Sequence, residues 1–215
     1  MVTETMKIMV DWLKLEVDLK FEGLADYARI LEDQIERLTN AEKLRLRRTI
    51  FSDEAEWQIA HAEHQWLFEG TLPRLLRQSC IVSLFTAIET SLSAICEALK
   101  SRKSLKLSAR ELKDEPIRRT QTYIRKVADI DLADHAFTGR LKDLSKVRNW
   151  IVHSAGQAES SEEAKETVNR LEGIRIGHDG YIEIDKGVCF RLIQEAHEWV
   201  EHLRLSAGLG LDESK

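Results

Sequence analysis

Apolar residues recur every three to four positions over most of the chain, and this pattern predicts an almost wholly helical protein. Between residues 3 and 37 it predicts one long helix or two broken ones. Thr39 followed by Glu42 has the form of a capping box, which predicts that another helix begins there and runs through Ile50. Only ten glycines and two prolines occur in 215 residues, so the pattern indicates few turns and long helices.

The most apolar helix is predicted over residues 73–100, after a helix expected over residues 52–70. Pro73 suits the first turn of this apolar helix, where its missing N–H costs nothing. Glu89 and Glu97 interrupt the apolar sequence. Acidic residues are rare in membrane spans, so we expect a buried core helix rather than a transmembrane one.

Shorter helices are predicted in the second half of the chain. A break at Glu115–Pro116 precedes a helix over residues 117–127, because the residue before a proline avoids the helical region. Asp131 or Asp134 is expected to cap the turn that follows. The next helix is expected to stop at Gly156. Its apolar stripe consists of Leu141, Leu144, Val147 and Ile151.

One small β-hairpin is predicted near the C-terminus. Ser160 and Glu163 form a second capping box, which predicts a short helix before the hairpin. Residues 178–180 (His-Asp-Gly) are typical of a hairpin turn, and Asp185 precedes a last amphipathic helix. The alternating apolar residues of the two strands are Ile174, Ile176, Ile182 and Ile184. The expected fold class is therefore all-α, with this hairpin before the C-terminal helix.

Charge is spread unevenly along the chain. The formal net charge is −5, but the segment Lys100–Lys126 holds ten basic and three acidic residues, a net +7, so the rest carries −12. That balance excludes a protein that coats nucleic acid over its whole surface. The segment either attracts an anionic partner or only solvates a pair of surface helices.

The cysteines and the N-terminus indicate an intracellular protein. Three cysteines are present, an odd number without metal-like spacing, and each lies among apolar residues. Reduced core cysteines are the expected state. The first residues do not have the pattern of a secretory signal, so we expect a cytoplasmic location.

The sequence Arg-Asn-Trp-Ile-Val-His at residues 148–153 is the most function-like feature. On an ideal helix Asn149 and His153 lie about 40° apart, whereas Arg148 and His153 lie about 140° apart. One helix therefore does not bring the guanidinium beside the imidazole, but two copies across a symmetry axis can. Histidine moves protons near neutral pH, arginine holds phosphate, and an amide orients either group. The alternative is that Arg148 and Asn149 pair with neighbours and His153 only ends a helix.

In this context the chain resembles the HEPN superfamily, whose signature is an arginine, a polar residue and, after four to six residues, a histidine. Arg148, Asn149 and His153 match that signature, and residues 147–156 are similar to the form found in its ribonuclease branches. The resemblance implies an up-and-down helical bundle of HEPN type over residues 71–208. Residues 1–70 are then an N-terminal helical extension and residues 209–215 a tail.

The resemblance implies a metal-independent endoribonuclease without a cofactor, acting on single-stranded RNA or tRNA as a homodimer with a composite site across the interface. His153 then acts on the ribose 2′-hydroxyl or the leaving oxygen, Arg148 stabilises the phosphate, and Asn149 orients both. A toxin or anti-phage defence role follows, with an antitoxin or defence-system partner and no membrane. In the toxin branch with nucleotidyltransferase antitoxins a tyrosine stands where this chain has Ala155, so control through that tyrosine is not expected.

The basic segment is the expected RNA-guiding surface. Its candidate RNA-binding residues are Lys103, Lys106, Arg118, Arg119, Arg125 and Lys126. The alternative function is a catalytically silent HEPN-like module that binds nucleic acid or protein and keeps the motif for dimer packing.

Other candidates have ordinary explanations. His61 and His64 flank Glu63 at a spacing that can share a metal, but no third ligand follows, and a solvated polar face is favoured. The last helix carries His197 and His202, which also resemble an exposed face. Tryptophans at 57 and 66 are expected to be core or interface anchors rather than base-stacking platforms.

Overall fold

The computed structural model describes residues 4–131, 135–158 and 161–210. Within these ranges the regular secondary structure is helical apart from one antiparallel hairpin before the C-terminal helix, so the predicted all-α fold class is confirmed. The helices are α1 (Glu4–Arg48), α2 (Glu54–His64), α3 (Leu72–Lys103), α4 (Pro116–Thr122), α5 (Ala136–His153), α6 (Glu162–Asn169) and α7 (Val188–Ser206). The strands are β1 (Ile174–Ile176) and β2 (Ile182–Ile184).

α1 is a single helix, so the predicted start of a new helix at Thr39 is wrong. The Thr39 hydroxyl donates to the carbonyl of Ile35, one turn earlier, as mid-helix threonines do. Glu42 does not reach back to a cap; its carboxylate accepts hydrogen bonds from Arg45. The local sequence of a capping box is thus overridden by the continuing helix.

The predicted stop at Gly70 is also wrong, although the predicted helix start near residue 52 is confirmed. Its N-cap is Asp53, whose carboxylate accepts from the Glu56 N–H at 2.8 Å. A π-helical stretch, Gln65–Thr71, joins α2 to α3 without a break. Pro73 supplies the reason, because its ring clashes with the carbonyl four residues earlier in a regular α-helix, and a wider turn accommodates it.

The helical stretch Glu54–Lys103 is the one part of the described chain long and apolar enough, by length and composition, to cross a membrane. In its most apolar window 56% is buried inside the protein. Core helices pass the same test, so the finding is weak evidence for a span.

Beyond α3 the break at Glu115–Pro116 is confirmed, and Pro116 is the first residue of α4. Helical structure continues through a π-helical turn, Tyr123–Val127, as predicted for residues 117–127. A capping box of Ser108 and Glu111 around a short 3-10 turn was not predicted.

The N-terminal cap of α6 differs from the predicted one, and the alternative cap at Asp134 stays a prediction. Asp131 does not cap α5; the ring of His135 accepts from the Phe137 N–H at 3.2 Å. Asp134 and Ser160 lie outside the described residues. The cap of α6 is Ser161, whose hydroxyl accepts from the Ala164 N–H at 3.1 Å.

The hairpin has the predicted strands, with Ile174 opposite Ile184 and Ile176 opposite Ile182. Its turn closes with the Gly177 N–H donating to the Tyr181 carbonyl at 2.7 Å.

The chain forms two compact units. Unit 1 comprises Met1–Leu24, Ser83–Lys142 and Leu192–Lys215, and unit 2 comprises Ala25–Val82 and Asp143–Arg191. The predicted division at residue 70 rests on the resemblance alone and stays a prediction.

Unit 1 has an aromatic and aliphatic core. Trp199 is fully buried, packs against Phe137 with ring centroids 5.8 Å apart, and donates its indole N–H to Thr138. Tyr123 is also buried, with its hydroxyl donating to the Leu107 carbonyl. Both polar groups are therefore satisfied inside this core.

Unit 2 is built around the hairpin. Ile182 and Ile184 are buried, and polar side chains of α3 bond to their backbone. Gln78 donates to the Ile182 carbonyl at 2.9 Å, and Arg77 donates to the Ile184 carbonyl while it pairs with Glu32. These bonds fix β2 against the first turns of α3.

Candidate functional site

The predicted motif lies in the last turns of α5, inside unit 2. Leu144, Val147 and Trp150 bury the apolar face of this part of the helix. Asn149 and His153 are exposed, while Ile151 is half-buried. The apolar stripe thus holds the helix in place and leaves the two polar motif residues on the surface, as their helical spacing predicted.

A tight turn at Gly156 fixes the end of α5. The Gly156 N–H donates to the Trp150 carbonyl at 2.9 Å, and its carbonyl accepts from the Ile182 N–H at 2.8 Å. Its φ of +84° lies in the left-handed region, and a Cβ there would meet Gln78 Nε2 at 2.5 Å. Glycine is therefore required both for the backbone conformation and for the space.

A cleft of about 380 Å³ opens beside the last turns of α5. It lies between this helix and the start of α6. Its lining residues are Lys146, Asn149, Trp150, His153, Ser154, Ser161, Glu163 and Ala164. We call it the α5 cleft. It combines an imidazole, an amide, an ammonium group and hydroxyls, which are groups that bind and protonate a phosphodiester.

His153 is the last residue of α5, and its imidazole makes no hydrogen bond to any residue that the structure describes. Both ring nitrogens are thus open to a substrate. Asn149, one turn earlier on the same face, lines the same cleft. The structure therefore brings these two predicted site residues together.

Arg148 is placed differently. It is half-buried, and its Nη1 donates to the side-chain oxygen of Asn149 at 3.1 Å. Its Nε is buried and has no hydrogen-bond partner among the described residues. Arg148 does not line the α5 cleft as the described chain forms it, so one copy joins it to Asn149 but does not present it beside His153.

Two oppositely charged residues of the α5 cleft, Lys146 and Glu163, were not among the predicted site residues. Lys146 lies seven residues before His153, about 20° from it around an ideal helix. Its ammonium pairs with the Glu163 carboxylate at 2.5 Å. The helical spacing alone would have placed Lys146 on the motif face, but Glu163 comes from a separate helix and the sequence does not show where that helix packs.

The basic segment belongs to unit 1, and most of its charged side chains are exposed. None of its ten lysines and arginines forms an ion pair with any described acidic residue, although ion pairs are common elsewhere, as at Arg77 with Glu32. Glu111 is used in the capping box at Ser108, and Asp114 accepts from the backbone N–H of Glu115. The positive charge of this segment is therefore not neutralised locally.

Two members of the segment contact backbone carbonyls. Arg102 donates to the carbonyl of Gly208, and Lys103 donates to that of Ala128. The other predicted RNA-binding residues are exposed, except Arg119, which is half-buried.

The cysteines are free and buried, as predicted. Burial raises the pKa of the Cys96 thiol to about 11. Cys189 and Cys80 are hydrogen-bonded to each other, which together with burial raises the pKa of Cys189. The same hydrogen bond lowers the pKa of Cys80, so it is the Cys96 and Cys189 thiols that stay protonated at neutral pH.

The predicted polar face at His61 and His64 is wrong. His64 is buried, 5% exposed, stacks on Phe68 and approaches Glu69 at 3.5 Å. His61 instead packs on Trp57 with ring centroids 4.0 Å apart. Trp57 and Trp66 themselves are 42% and 68% exposed, so neither is a core anchor.

The predicted exposed face at His197 and His202 is also wrong, since both are half-buried. His197 stacks on Phe21 and hydrogen-bonds Asp18 at 3.0 Å. The side chains of Asp18, His197 and Glu201 are of types that bind metal ions, and their candidate ligand atoms lie within 4.8 Å of one another. However, each of the two carboxylates already forms an ion pair with a basic side chain. Lys14 pairs with Asp18, and Arg204 pairs with Glu201.

A second cleft of about 480 Å³ lies in unit 2 beside the π-helical stretch. Three arginines line it, and each pairs with an acidic residue: Arg74 with Asp179, Arg77 with Glu32, and Arg175 with Glu183 and Asp185. Their charge is neutralised internally, unlike that of the basic segment.

No protein-family model matches the chain, and neither a curated protein nor a solved structure matches it. The chemistry of the α5 cleft and of the basic segment therefore carries the functional argument.

Proposed function

We propose that this protein is a metal-independent endoribonuclease of HEPN type that cleaves single-stranded RNA or tRNA in the cytoplasm, with a toxin or anti-phage defence role. The observation that carries the proposal is the α5 cleft, where His153 and Asn149 face an open space beside Lys146. The family motif supplies the chemical interpretation, and the unpaired basic segment supplies a surface for a polyanion.

RNA cleavage by these residues needs no added group. The ribose 2′-hydroxyl oxygen attacks the adjacent phosphorus as one histidine accepts its proton. The bond from phosphorus to the 5′-oxygen breaks, and that oxygen takes a proton from a protonated histidine. The products are a 2′,3′-cyclic phosphate and a 5′-hydroxyl. Histidine suits both proton transfers because its charge changes near neutral pH.

A homodimer completes this site. Two histidines are needed in opposite protonation states, and one chain supplies a single His153 in the α5 cleft. In one copy Arg148 bonds Asn149 outside the cleft lining. Packing two α5 helices across a two-fold axis can bring each Arg148 toward the His153 of the second copy, where its guanidinium would stabilise the developing charge on the phosphate.

The placement of Arg148 also favours the alternative, a catalytically silent module. A half-buried guanidinium with a buried Nε can serve packing alone. Such a module would still bind RNA through the basic segment, so binding without cleavage identifies it.

The test is incubation of the purified protein in EDTA with a mixed pool of single-stranded RNA and tRNA. We expect cleavage with 2′,3′-cyclic phosphate ends. The Arg148→Ala, His153→Ala double variant should lose at least about 10²-fold in rate, because positioned acid–base groups contribute about that much or more.

A matched control is the Arg47→Ala, His178→Ala double variant, which removes the same residue types at exposed positions outside the α5 cleft. It should retain full activity. Cleavage that survives in the Arg148, His153 variant, or that is absent from the folded wild type, contradicts the proposal and leaves the binding module.

A further inference from the structure

The ion pair between Lys146 and Glu163 lies inside the α5 cleft rather than on an unrelated surface. Lys146 stands on the same face of α5 as Asn149 and His153, one and two turns before them. Lys146 lines the cleft, and its side chain is 32% exposed. A positive charge two turns from the candidate general base is positioned to hold an anionic group of a bound chain.

Glu163, which belongs to α6, forms an ion pair with the Lys146 ammonium. It lies in the first turn of α6, which the Ser161 cap begins, and its side chain is 75% exposed. Its Oε1 accepts from the Lys146 ammonium in the way a phosphate oxygen would. Because Glu163 is exposed, leaving Lys146 for water has a small cost.

We propose that Lys146 is a phosphate-binding residue for the nucleic-acid backbone in the α5 cleft, and that Glu163 fills this position in the free protein until a phosphate displaces it. The inference rests on the proposed function for the identity of the ligand as RNA. It adds a specific positioning residue and an internal competitor, which the motif does not contain.

Glu163 is a weak competitor of a phosphate for the Lys146 ammonium. Exposed ion pairs are worth at most about a fivefold change in an equilibrium constant, and a phosphate carries a full charge with more acceptor oxygens. Glu163 therefore lowers affinity modestly and does not block the cleft. Removing its charge should release Lys146 and tighten RNA binding by about two- to fivefold.

The experiment measures binding of a fluorescently labelled 2′-O-methyl RNA oligonucleotide by anisotropy. This probe keeps the phosphates but lacks the 2′-hydroxyl nucleophile, so cleavage cannot enter the result. The variants are Glu163→Gln, Lys146→Gln and the double variant of both. Their circular dichroism and thermal unfolding are compared with the wild type.

The matched control is Glu162→Gln. Glu162 neighbours Glu163 in the same first turn, is 76% exposed and pairs with Lys165, but does not line the α5 cleft. Each of the two substitutions removes one negative charge from the first turn of α6. A general electrostatic effect would therefore act on the two variants alike.

We expect Glu163→Gln to tighten binding by about two- to fivefold and Glu162→Gln to change it by less than about 1.5-fold. Lys146→Gln should weaken binding by at least threefold, and the gain from Glu163→Gln should vanish when Lys146 is already glutamine. Lys146→Arg keeps the charge and should stay within about twofold of the wild type.

Equal gains for the two glutamate variants, or a gain that persists without Lys146, overturns the inference. So does a Lys146→Gln variant that binds like the wild type. With cleavable RNA the Lys146 substitution should raise KM more than it lowers kcat, since the residue acts on binding.

Failure of the proposed function has a separate signature. If the wild type binds the probe with the pattern above but does not cleave natural RNA, the phosphate site stands and the nuclease proposal falls. If natural RNA is cleaved and the binding cycle shows no coupling, the nuclease stands and this inference falls.

Discussion

Single residues decide how the end of α5 is held. Gly156 has a φ of +84°, and its neighbour Ala155 also has a positive φ of 51°. The turn therefore ends α5 within three residues of His153, and the Gly156 carbonyl bonds to the Ile182 N–H of β2. A glycine expected only as a helix stop thus also joins the end of the motif helix to the hairpin.

The free energy of unfolding of the Gly156→Ala variant should be about 1–3 kcal/mol lower than that of the wild type. Alanine is strained at this φ, and its Cβ would displace the Gln78 amide from the position where it bonds Ile182. Urea unfolding followed by circular dichroism measures the change.

Gly139→Ala is the control. Gly139 is an exposed helical glycine in α5 with no atom within 4 Å of an added Cβ, so alanine should stabilise by about 0.5–1 kcal/mol. If both variants lose stability equally, the argument from the Gly156 turn is wrong.

At the level of helices and strands, α1 and α7 are joined by a polar contact that the sequence did not indicate. Burial raises the pKa of the Asp18 carboxyl, but hydrogen bonds from Lys14 and His197 outweigh this and hold the pKa below its ordinary value of 3.8. A carboxyl whose pKa is lowered on folding stabilises the protein above its unfolded pKa. That contribution is lost as the pH falls through the folded value.

Asp18→Asn should therefore reduce the free energy of unfolding at pH 7 by about 1 kcal/mol, because charge-assisted hydrogen bonds to Lys14 and His197 are lost. The difference from the wild type should shrink as the pH falls below the ordinary carboxyl pKa of 3.8, and it should be largely lost below the lower pKa of Asp18 in the folded protein. Urea unfolding between pH 7 and pH 2.5 gives both curves.

Asp11→Asn, an exposed acid on the same helix without an ion pair to any described residue, should change stability by less than about 0.5 kcal/mol at every pH. A constant difference for Asp18→Asn across the whole pH range would contradict the assigned role of its carboxyl.

Most of the helices and strands could be predicted from the sequence. Apolar periodicity placed α3, α5, α7 and the hairpin, because burial of one face is the strongest constraint on an element. It failed at Thr39 and Gly70, where local capping and stop signals are outweighed by helices that continue through them. It also failed for His64 and His197, since the burial of a polar side chain depends on the elements packed against it.

For the site, the spacing correctly placed Asn149 and His153 on one exposed face. The same helical spacing also places Lys146 on this face, but Lys146 is not part of the motif and was not predicted. Glu163 could not be predicted, because its position depends on how α6 packs.

Across the whole molecule, basic residues divide into two groups. Most of those outside the basic segment pair with acids, as Arg170 does with Asp143, while none of the ten in Lys100–Lys126 pairs with a described acid. Paired cations contribute little to the field around a protein. The basic segment therefore concentrates ten cations without a described ion pair in an eighth of the chain.

If the six predicted RNA-binding residues each contact a phosphate, log Kd for single-stranded RNA should change with log salt with a slope of about 4. The Arg118→Gln, Arg119→Gln variant should weaken binding similarly for different RNA sequences and lower the slope by about 1.4. Anisotropy titrations between low and physiological salt measure it.

Arg47→Gln, Arg48→Gln makes the same charge change at two adjacent, exposed arginines that form no ion pair with a described residue. Its slope should equal that of the wild type. Equal losses from the two variants would show that net charge, and not the basic segment, determines binding.

Trp150 gives the α5 cleft an optical property of its own. It lines the cleft beside Asn149 and is only 9% exposed, whereas Trp12, Trp57 and Trp66 are largely exposed. The indole emission of Trp150 should therefore lie to the blue of theirs and respond when a nucleobase stacks nearby or water leaves the cleft. With the exposed tryptophans replaced by phenylalanine, the remaining emission comes from Trp150 and the fully buried Trp199. The fold thus contains a built-in fluorescent reporter at the place where the chemistry is proposed to occur.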